Sequence, residues 1–498
     1  MTFVKVLGIS LLAGAGLLGL VVILGMTRYS PFLNTYLSST VVMAVLGGLL
    51  GFAVFAAIGG IALLKARSLK KAGVPFIILF VTFAVGAPTA LFTIVETQVI
   101  KGEIDLARIS TLYSTAPEWE TRAETIRQGI LRGAELTPLP ARTPLNATIH
   151  SLRVHGNYSV ENVYFESFPG FFVTGNLYRP AGPIAAGLHP VILVPHGHHN
   201  HNARFEQEIQ QIATSFARLG ANVFTYDMVG KGESNQTEHE RAFTLTLQLW
   251  NSMRVLDFML GLNDSDPSRV GMTGASGGGT QTFLLAAVDS RLNISAPVVM
   301  VSSYIYGGCP CENGMPIHRG NGYATNNAEI AALHAPQPML LVSDGDDWTR
   351  FTPVLEFPFI QRIYGFYGLV NNVVNAHFPS EEHDYGVSKR NASMHFFADQ
   401  FGLDISRIED ASRSINETAN VMETMDTMRA FTGAYPRPVY AHQGEESIRS
   451  ALHALQPGWQ PAVYPVIDGG GLVPIVSCVG LAALSVIARS RRKMKYRF

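Results

Sequence analysis

The sequence predicts an α/β domain with a mostly parallel central sheet flanked by helices, together with about four transmembrane helices. Three observations predict this fold class. Apolar strand patterns alternate with helical patterns from about residue 159 onward. Long apolar stretches lie near both ends of the chain. Finally, 47% of the 498 residues are hydrophobic and only 15% are charged, which is unusually apolar for a globular chain of this length.

Four apolar stretches are long enough to cross a bilayer, which needs about 20 residues. They cover Leu7–Met26, Val41–Leu64, Val74–Val95 and roughly Gly469–Ala488. The fourth is the weakest, because it starts with a run of glycines. A cleaved signal peptide is the alternative for the first stretch, but its apolar run is longer than a typical signal core and no A-x-A-like site follows it. We therefore expect the lipid bilayer to be a partner.

Basic residues orient these predicted helices, since cytoplasmic loops are enriched in lysine and arginine. Basic clusters lie between the second and third stretches and after the fourth. Both termini are therefore expected in the cytoplasm, with residues 96 to about 468 on the exoplasmic side of a multi-pass membrane protein. The N-x-[ST] acceptors all fall in that part, which indicates a glycoprotein. They are Asn146, Asn157, Asn235, Asn263, Asn293, Asn391 and Asn416.

The chain divides into five predicted regions. Three transmembrane helices occupy residues 1–96, and an N-terminal helical extension follows at 97–150. The catalytic domain is expected at 151–404. A polar appendage or stalk at 405–468 leads to the C-terminal transmembrane helix and a basic cytoplasmic tail at 469–498.

Short apolar runs separated by helical segments predict the sheet of the catalytic domain. Continuous apolar strands of this kind are typical of a parallel sheet buried on both faces. In such sheets, ligands bind at the carboxyl ends of the strands. Strands are predicted at 159–165, 171–178, 190–195, 221–227, 269–274, 296–302, 338–343 and 369–374, with helices at 204–219, 241–260 and 278–289.

The segment GASGG contains a G-x-S-x-G pattern centred on Ser276. It follows a predicted strand and opens a predicted helix, which is the context of a nucleophile elbow. Gly274 and Gly278, two residues before and after the serine, allow the strand and the helix to pass close together. We therefore expect Ser276 to be a nucleophile. The alternative is a glycine-rich strand–helix turn with a capping serine.

A nucleophilic serine needs an acid and a base, which are expected in the chain order serine, acid, histidine. The turn DGDDWT directly follows a predicted apolar strand, and its spacing favours Asp347 as the acid. Asp344 and Asp346 stay open as alternatives. Glu312 is a further alternative, because it follows an earlier strand where some hydrolases carry their acid.

The loop HFPSEEHDYG follows the last predicted strand and contains the candidate base. His383 lies at the position that the chain order requires. His377, at the start of the same loop, is the alternative. The order Ser276, then acid, then His383 predicts a catalytic triad.

The stretch VPHGHHNHN carries several histidines in succession. His196 and Gly197 come directly after an apolar strand, where an enzyme with a nucleophile elbow supplies its second oxyanion-binding N–H. We expect the N–H groups of His198 and Gly277 to form the oxyanion hole, and His196 and Gly197 to bind substrate. Histidines without a carboxylate or cysteine in matching spacing are a poor zinc signature. No metal ion or organic cofactor is therefore expected.

Two further loops contain residues of interest. Cys309 and Cys311 form a C-x-C pattern that is compatible with a disulfide or with half of a metal site. Because no second cysteine pair is present, a structural or pocket-lining role is favoured. Asp227 opens a glycine-containing loop at the end of a strand, and we expect it to hold that loop in place.

Seven segments occur in an order that is typical of a known family. They are ENVYFESFPGFFVTGNLYRP, VPHGHHN, ANVFTYDMVGKGES, GASGGG, GGCPCENGMPIH, SDGDDWT and EEHDYG. Over residues 115–402 the chain resembles the acetyl xylan esterase-like, or dienelactone-hydrolase-like, group of the α/β-hydrolase superfamily. This resemblance implies the α/β-hydrolase fold, with Ser276 as nucleophile, His383 as base and Asp347 as acid. Members are typically secreted or soluble, so the predicted transmembrane helices depart from the family pattern.

The resulting functional expectation is a membrane-anchored serine esterase of the acetyl esterase type. It would act on small-molecule or carbohydrate esters through a Ser-His-Asp acyl-enzyme mechanism. The alternatives are a serine peptidase or acyltransferase on the same fold, or a catalytically degenerate membrane scaffold. A net charge of −1 gives no global field that would attract nucleic acid, so no nucleic-acid partner is expected.

Overall fold

A nine-stranded sheet forms the centre of the computed structural model, which describes residues 98–198, 203–320 and 322–460. The strands, in chain order, are β1 (Thr148–His155), β2 (Tyr158–Phe168), β3 (Phe171–Pro180), β4 (His189–Pro195), β5 (Asn222–Tyr226), β6 (Ser265–Ala275), β7 (Ile294–Val298), β8 (Arg319–Gly320), β9 (Tyr323–Ala324), β10 (Met339–Asp344) and β11 (Val373–Phe378). The order across the large sheet is β1-β2-β3-β5-β4-β6-β7-β10-β11, and β8 pairs with β9 in a separate small sheet.

The sheet is parallel in the part that carries the predicted functional residues. The neighbouring pairs from β5 through β4, β6, β7 and β10 to β11 are all parallel. The strands β1, β2 and β3 are antiparallel and extend the sheet at one edge. All seven residues of β4 are buried, as expected of a strand covered on both faces. The predicted mostly parallel α/β architecture is confirmed.

Helices precede, separate and follow the strands. Residues 98–110 are helical. The α-helices that follow are α1 (Ala116–Gly133), α2 (Gln207–Leu219), α3 (Thr244–Leu260), α4 (Gly277–Val288), α5 (Pro310–Asn313), α6 (Asn327–Ala332), α7 (Glu356–Gly365), α8 (Val387–Phe401), α9 (Met425–Met428) and α10 (Glu445–His453). Short 3₁₀ helices cover Gly182–Ile184, Ala203–Phe205, Trp348–Phe351, Val370–Asn372, Ile405–Arg407 and Glu417–Ala419.

The core lies on both faces of the sheet, because side chains alternate along each strand. Leu193 of β4 packs in a cluster with Trp250 of α3, while its neighbour Val194 packs in a second cluster with Phe216 of α2 and Phe397 of α8. In α2 the buried apolar side chains recur at the spacing of one helical face. They include Ile209, Ile212, Ala213 and Phe216.

The prediction of about four transmembrane helices, and with it the multi-pass membrane location, was wrong. No helix within the described residues is long and apolar enough to cross a membrane. The longest of the numbered helices, α1, has 18 residues, carries charged side chains and packs on the core. The four apolar stretches at residues 7–26, 41–64, 74–95 and 469–488 lie outside the described residues.

Segments on either side of the predicted catalytic domain contribute to the same core. Ile126 and Ile130 of α1 and Ile448 and Leu452 of α10 belong to one buried cluster with side chains from the sheet. The bounds of the five predicted regions stay a prediction. The acceptor asparagines are exposed or partly exposed, and their glycosylation also stays a prediction.

Candidate active site

The carboxyl ends of the parallel strands meet at one edge of the sheet, and the predicted catalytic residues follow three of them. Ser276 comes directly after β6. Asp347 follows β10, and His383 lies in the loop after β11. Because β6, β7, β10 and β11 are parallel neighbours, the topology brings these three loops to the same edge.

Ser276 occupies the turn between β6 and α4 in a strained conformation. Its φ of 56° and ψ of −122° are rare for a residue with a side chain. The backbone holds this conformation from both sides: the Ser276 N–H donates to the Val298 carbonyl at 3.0 Å, and the Ser276 carbonyl accepts from the Thr280 N–H at 3.0 Å. The strained strand–turn–helix geometry is that of a nucleophile elbow.

The glycines around Ser276 are required by close backbone approaches. A Cβ on Gly274 would lie 2.5 Å from the Pro195 carbonyl oxygen, and one on Gly278 would lie 2.3 Å from the same oxygen. Real Cβ atoms do not approach backbone oxygens this closely. The elbow therefore packs tightly against the end of β4, from which the histidine stretch starts.

Asp347 and His383 form a direct pair. His383 Nδ1 lies 2.5 Å from Asp347 Oδ2. The Asp347 side chain is fully buried, and its Oδ1 accepts from the Thr349 N–H at 2.5 Å and from Thr349 Oγ1 at 2.6 Å. These bonds fix the carboxylate. The His383 ring lies against Trp348, with 4.5 Å between ring centroids, and keeps 30% of its side chain exposed.

Opposing effects set the pKa of His383. Burial alone would lower this pKa, but the hydrogen bond to Asp347 and its negative charge outweigh burial, so the pKa is raised above 6.5. With Nδ1–H directed to the carboxylate, Nε2 carries the lone pair of the neutral ring. This is the tautomer that a general base requires.

The alternative acids from the same turn have other surroundings. Asp344 is also buried, but its Oδ2 lies 3.0 Å from Lys389 Nζ. Burial, followed by the nearby charge of Asp347, raises the pKa of Asp344 to about 7 against the opposing charge of Lys389. Asp346 is exposed to solvent. The geometry thus favours Asp347 as the partner of His383.

The side chains of the remaining alternatives, Glu312 and His377, form hydrogen bonds to residues other than Asp347 and His383. Glu312 Oε1 accepts from Thr280 Oγ1 at 3.0 Å, and its Oε2 accepts from the Gly308 N–H at 2.7 Å. Burial raises the pKa of Glu312. His377 Nδ1 lies 2.9 Å from Ser343 Oγ, and burial lowers its pKa. Glu312 therefore holds the cysteine loop against α4, and His377 belongs to the end of β11.

The loop after β4 passes directly beside the elbow. A Cβ on Gly197 would lie 2.9 Å from the Ala275 carbonyl oxygen and 3.2 Å from Ser276 Cβ. A Cβ on Gly277 would lie 2.6 Å from His198 Cε1. His198 and Gly277, which carry the expected oxyanion donors, are therefore neighbours. His199 and His201 lie outside the described residues.

His196 is fully buried and bonded to backbone. Its Nε2 accepts from the Met228 N–H at 3.0 Å, and its Nδ1 lies 2.7 Å from the Gly197 carbonyl oxygen. These contacts favour a role in fixing the loop over contact with substrate. The substrate-binding assignments of His196 and Gly197 stay predictions.

Asp227 lies in a buried polar network directly after β5. Its Oδ2 accepts from Thr174 Oγ1 at 2.7 Å and from the Glu233 N–H at 2.9 Å, and it pairs with the buried Arg204. The carboxylate thus holds the loop after β5, as its position in the sequence indicated.

A second group of side chains gathers beside the elbow, and sequence analysis missed it. His198 Nε2 lies 3.1 Å from Cys309 Sγ and 3.0 Å from Cys311 Sγ, and His239 Nε2 lies 3.6 Å from Cys309 Sγ. The two cysteines are joined in a disulfide. Burial lowers the pKa of His239 to about 4. One candidate ligand atom from each of these four residues lies within 4.8 Å of the others, so the group could hold a metal ion.

Comparison with known proteins identifies the family, although no family model matches the sequence. The solved structure of methylesterase BT1017 superimposes with a TM-score of 0.65 and 37% sequence identity, over 72% of this chain and 81% of that chain. The chain belongs to the α/β-hydrolase family of this esterase. The predicted resemblance to esterases of the α/β-hydrolase superfamily is thereby confirmed, and it supports an esterase-type hydrolase.

Two curated proteins are more distantly similar. Polyketide transferase claH from Penicillium crustosum is 28% identical over 215 residues, which are 41% of this chain and 65% of that protein. The hydrolase YtaP from Bacillus subtilis is 24% identical over 182 residues, which are 32% of this chain and 58% of that protein. The chain thus matches less than two thirds of the length of either relative.

Proposed function

We propose that this protein is a serine hydrolase of carboxylic esters, with Ser276, His383 and Asp347 as its catalytic triad. One observation carries the proposal: His383 is bonded to the buried Asp347, and both follow strands of the parallel sheet in which β6 ends in the strained turn of Ser276. The similarity to a methylesterase supports ester chemistry on this scaffold. No step of the proposed reaction requires a metal ion or an organic cofactor.

In the first step, Ser276 Oγ attacks the ester carbonyl carbon while His383 Nε2 accepts the serine proton. Asp347 stabilises the resulting imidazolium through the bond to Nδ1. The raised pKa of His383 favours this proton transfer, because a more basic imidazole is a better acceptor. The carbonyl oxygen becomes the oxyanion of a tetrahedral intermediate.

The oxyanion is expected to accept hydrogen bonds from the N–H groups of Gly277 and His198. Gly277 is the first residue of α4, where backbone N–H groups are free to bind a negative charge. The close approach of Gly197 to Ser276 brings the second loop to the same place. Loss of one such donor typically costs about 10²–10³ in rate.

The intermediate then collapses, and His383 returns the proton to the departing alcohol. An acyl group remains on Ser276 Oγ. A water molecule attacks this acyl-enzyme with His383 again accepting a proton, and the carboxylic acid is released. The cycle consumes one water and one ester and yields one acid and one alcohol.

Carbohydrate esters are the substrate class that we propose. Acetylated sugars and methyl esters of sugar acids are the two forms to compare. The former have a small acyl group, and the latter release a small alcohol. Resemblance to acetyl xylan esterase-like enzymes favours the first, whereas the methylesterase BT1017 favours the second.

Hydrolysis by the full-length protein and by Ser276→Ala tests the proposal. The assay would compare p-nitrophenyl acetate, an acetylated xylo-oligosaccharide and a methyl-esterified uronic acid. Ser268→Ala is a matched control, because Ser268 is exposed on the same strand, β6. We expect the control to match the wild type and Ser276→Ala to lose about 10⁶ in kcat. Equal activity of both variants would overturn the proposal.

Acyl transfer to an alcohol is a second candidate, favoured by the similarity to a polyketide transferase. Both reactions share the acyl-enzyme and differ in the acceptor. Adding a sugar alcohol to the assay separates them. A transferase would form a new ester in preference to free acid at millimolar acceptor, whereas a hydrolase would release acid in water.

A further inference from the structure

We propose that His198, His239, Cys309 and Cys311 form a zinc site when the two cysteines are reduced. This site lies outside the proposed triad and does not depend on it. All four candidate ligands come from the protein, so no position remains for a catalytic water. The site would therefore be structural, with zinc fixing the loop that carries His198 beside the elbow.

The distances fit this ligand set. A tetrahedral zinc ion with Zn–S of about 2.3 Å and Zn–N of about 2.0–2.1 Å places nitrogen and sulfur ligands about 3.6 Å apart. The His239 Nε2–Cys309 Sγ separation is already 3.6 Å. The separations from His198 Nε2, at 3.0 and 3.1 Å, need to grow by only about half an ångström once the sulfurs part.

The surroundings of His239 favour the ring tautomer whose Nε2 lone pair can bind a metal ion. Its Nδ1 lies 2.7 Å from the Val229 carbonyl oxygen, so the ring proton is on Nδ1 and the Nε2 lone pair faces the sulfur. Metal-binding histidines commonly donate their second ring N–H in this way, which fixes the tautomer and the orientation of the ring.

The cysteine loop is held in place by elements of the core. Glu312 accepts bonds from the Gly308 N–H and from Thr280 Oγ1 of α4. Gln248 Nε2 of α3 donates to the Cys311 carbonyl at 3.3 Å. Cys309, Cys311 and His239 are buried, so the ligands are preorganised away from bulk water.

The disulfide must be reduced before the two sulfur atoms can bind zinc. A dithiol reductant supplies two electrons and two protons, so that the Cys309–Cys311 disulfide becomes two thiols and the reductant becomes a disulfide. Zinc then displaces both thiol protons, and two neutral imidazoles complete the coordination. Two thiolates cancel the charge of Zn²⁺, which suits a buried site. An added disulfide oxidant, which accepts two electrons and becomes two thiols, restores the Cys309–Cys311 disulfide and releases zinc.

The experiment measures zinc per chain in the full-length protein. Protein reduced with dithiothreitol is loaded with zinc, desalted without oxygen and analysed by elemental mass spectrometry, with an oxidised sample alongside. We expect about one zinc per chain after reduction and loss of binding after oxidation. Cobalt should replace zinc and give the sulfur-to-metal charge-transfer absorption of a tetrahedral thiolate site.

Variants locate the metal. Cys309→Ser and His239→Gln should each lose at least about tenfold in zinc affinity. His395→Gln, which lies outside the cluster and contacts Glu409, should bind like the wild type. Thermal melting of each protein shows whether a variant is folded. If Cys309→Ser does not fold, the zinc affinity of His239→Gln provides the test. Reduced, folded wild type without zinc, or equal binding by the ligand variants, would overturn the proposal. Ser276→Ala should bind zinc like the wild type. The zinc measurement therefore tests the metal site even if the esterase proposal fails.

Discussion

Asp344 and Asp347 lie in one short turn at the carboxyl end of β10, and both side chains are fully buried, yet their partners differ. Asp347 bonds to the imidazole of His383. Asp344 pairs with the ammonium group of Lys389, which lies on α8. One carboxylate therefore orients a base, while the other neutralises a buried cation.

The comparison shows that spacing within the turn does not decide the role of a carboxylate. The deciding feature is which later element packs over each side chain: the loop after β11 covers Asp347, and α8 covers Asp344. The two environments also differ in their effect on titration. Asp347 raises the pKa of His383, whereas burial and Asp347 raise the pKa of Asp344 to about 7.

The largest expected effect follows from removing the base. His383→Ala should lower kcat by about 10⁶, because neither Ser276 deprotonation nor leaving-group protonation has a substitute. Steady-state hydrolysis of p-nitrophenyl acetate measures it. His377→Ala is the matched control and should keep most of the activity. The reverse pattern would show that His377 is the base.

The direct test of the comparison is a pair of isosteric changes. Asp347→Asn should lower kcat by about 10⁴, because an amide cannot stabilise the imidazolium and can favour the wrong tautomer. Asp344→Asn should lower kcat far less, because Asp344 does not contact His383. Measuring kcat for both variants at the same pH tests this. A larger loss of kcat in Asp344→Asn than in Asp347→Asn would show that Asp344 is the triad acid.

A pH profile sharpens the same comparison. His383 must be neutral to accept a proton, so kcat/KM should rise with pH through the pKa of His383, above its ordinary value of 6.5. In Asp347→Asn the raising effect is lost, and this limb should move to lower pH. Asp344→Asn should move it less. An unchanged limb in Asp347→Asn would contradict the pairing of Asp347 with His383.

The smallest expected effect is on stability. Because the fold raises the pKa of Asp344 to about 7, it disfavours the ionised carboxylate, and wild type should lose stability from this group as the pH rises from 4 to 8. Asp344→Asn keeps an oxygen that can accept a bond from Lys389 but cannot ionise, so its free energy of unfolding should fall less than that of wild type over this range. Urea unfolding of both proteins at pH 4 and pH 8 measures the difference, and a greater fall in Asp344→Asn would contradict it.

Strand-end motifs made much of the candidate site predictable. Ser276, Asp347 and His383 could be proposed because each follows an apolar strand in a fixed chain order, and Asp347 and His383 are indeed in contact. The last strand was placed too early, at 369–374 instead of Val373–Phe378. Val370–Asn372 forms a 3₁₀ turn there, and an apolar pattern interrupted by two asparagines does not distinguish a turn from a strand.

The cysteine and histidine cluster could not be predicted in the same way. His239 and Cys309 are 70 positions apart in the chain, in the loops after β5 and β7, and their side chains meet only in the folded structure. No local pattern in the sequence predicts this contact. The membrane prediction rested on the length and apolarity of four segments that lie outside the described residues, and no helix among the described residues is long and apolar enough to cross a membrane.

The central claim is that Ser276 is an activated nucleophile oriented by the Asp347–His383 pair. The most direct measurement is labelling of the full-length protein with a fluorophosphonate, followed by peptide mass spectrometry to locate the adduct. We expect one adduct, on Ser276, with slower labelling in Asp347→Asn and near-normal labelling in Asp344→Asn. A folded protein that is not labelled at Ser276, or is labelled equally fast in Asp347→Asn, would contradict the claim.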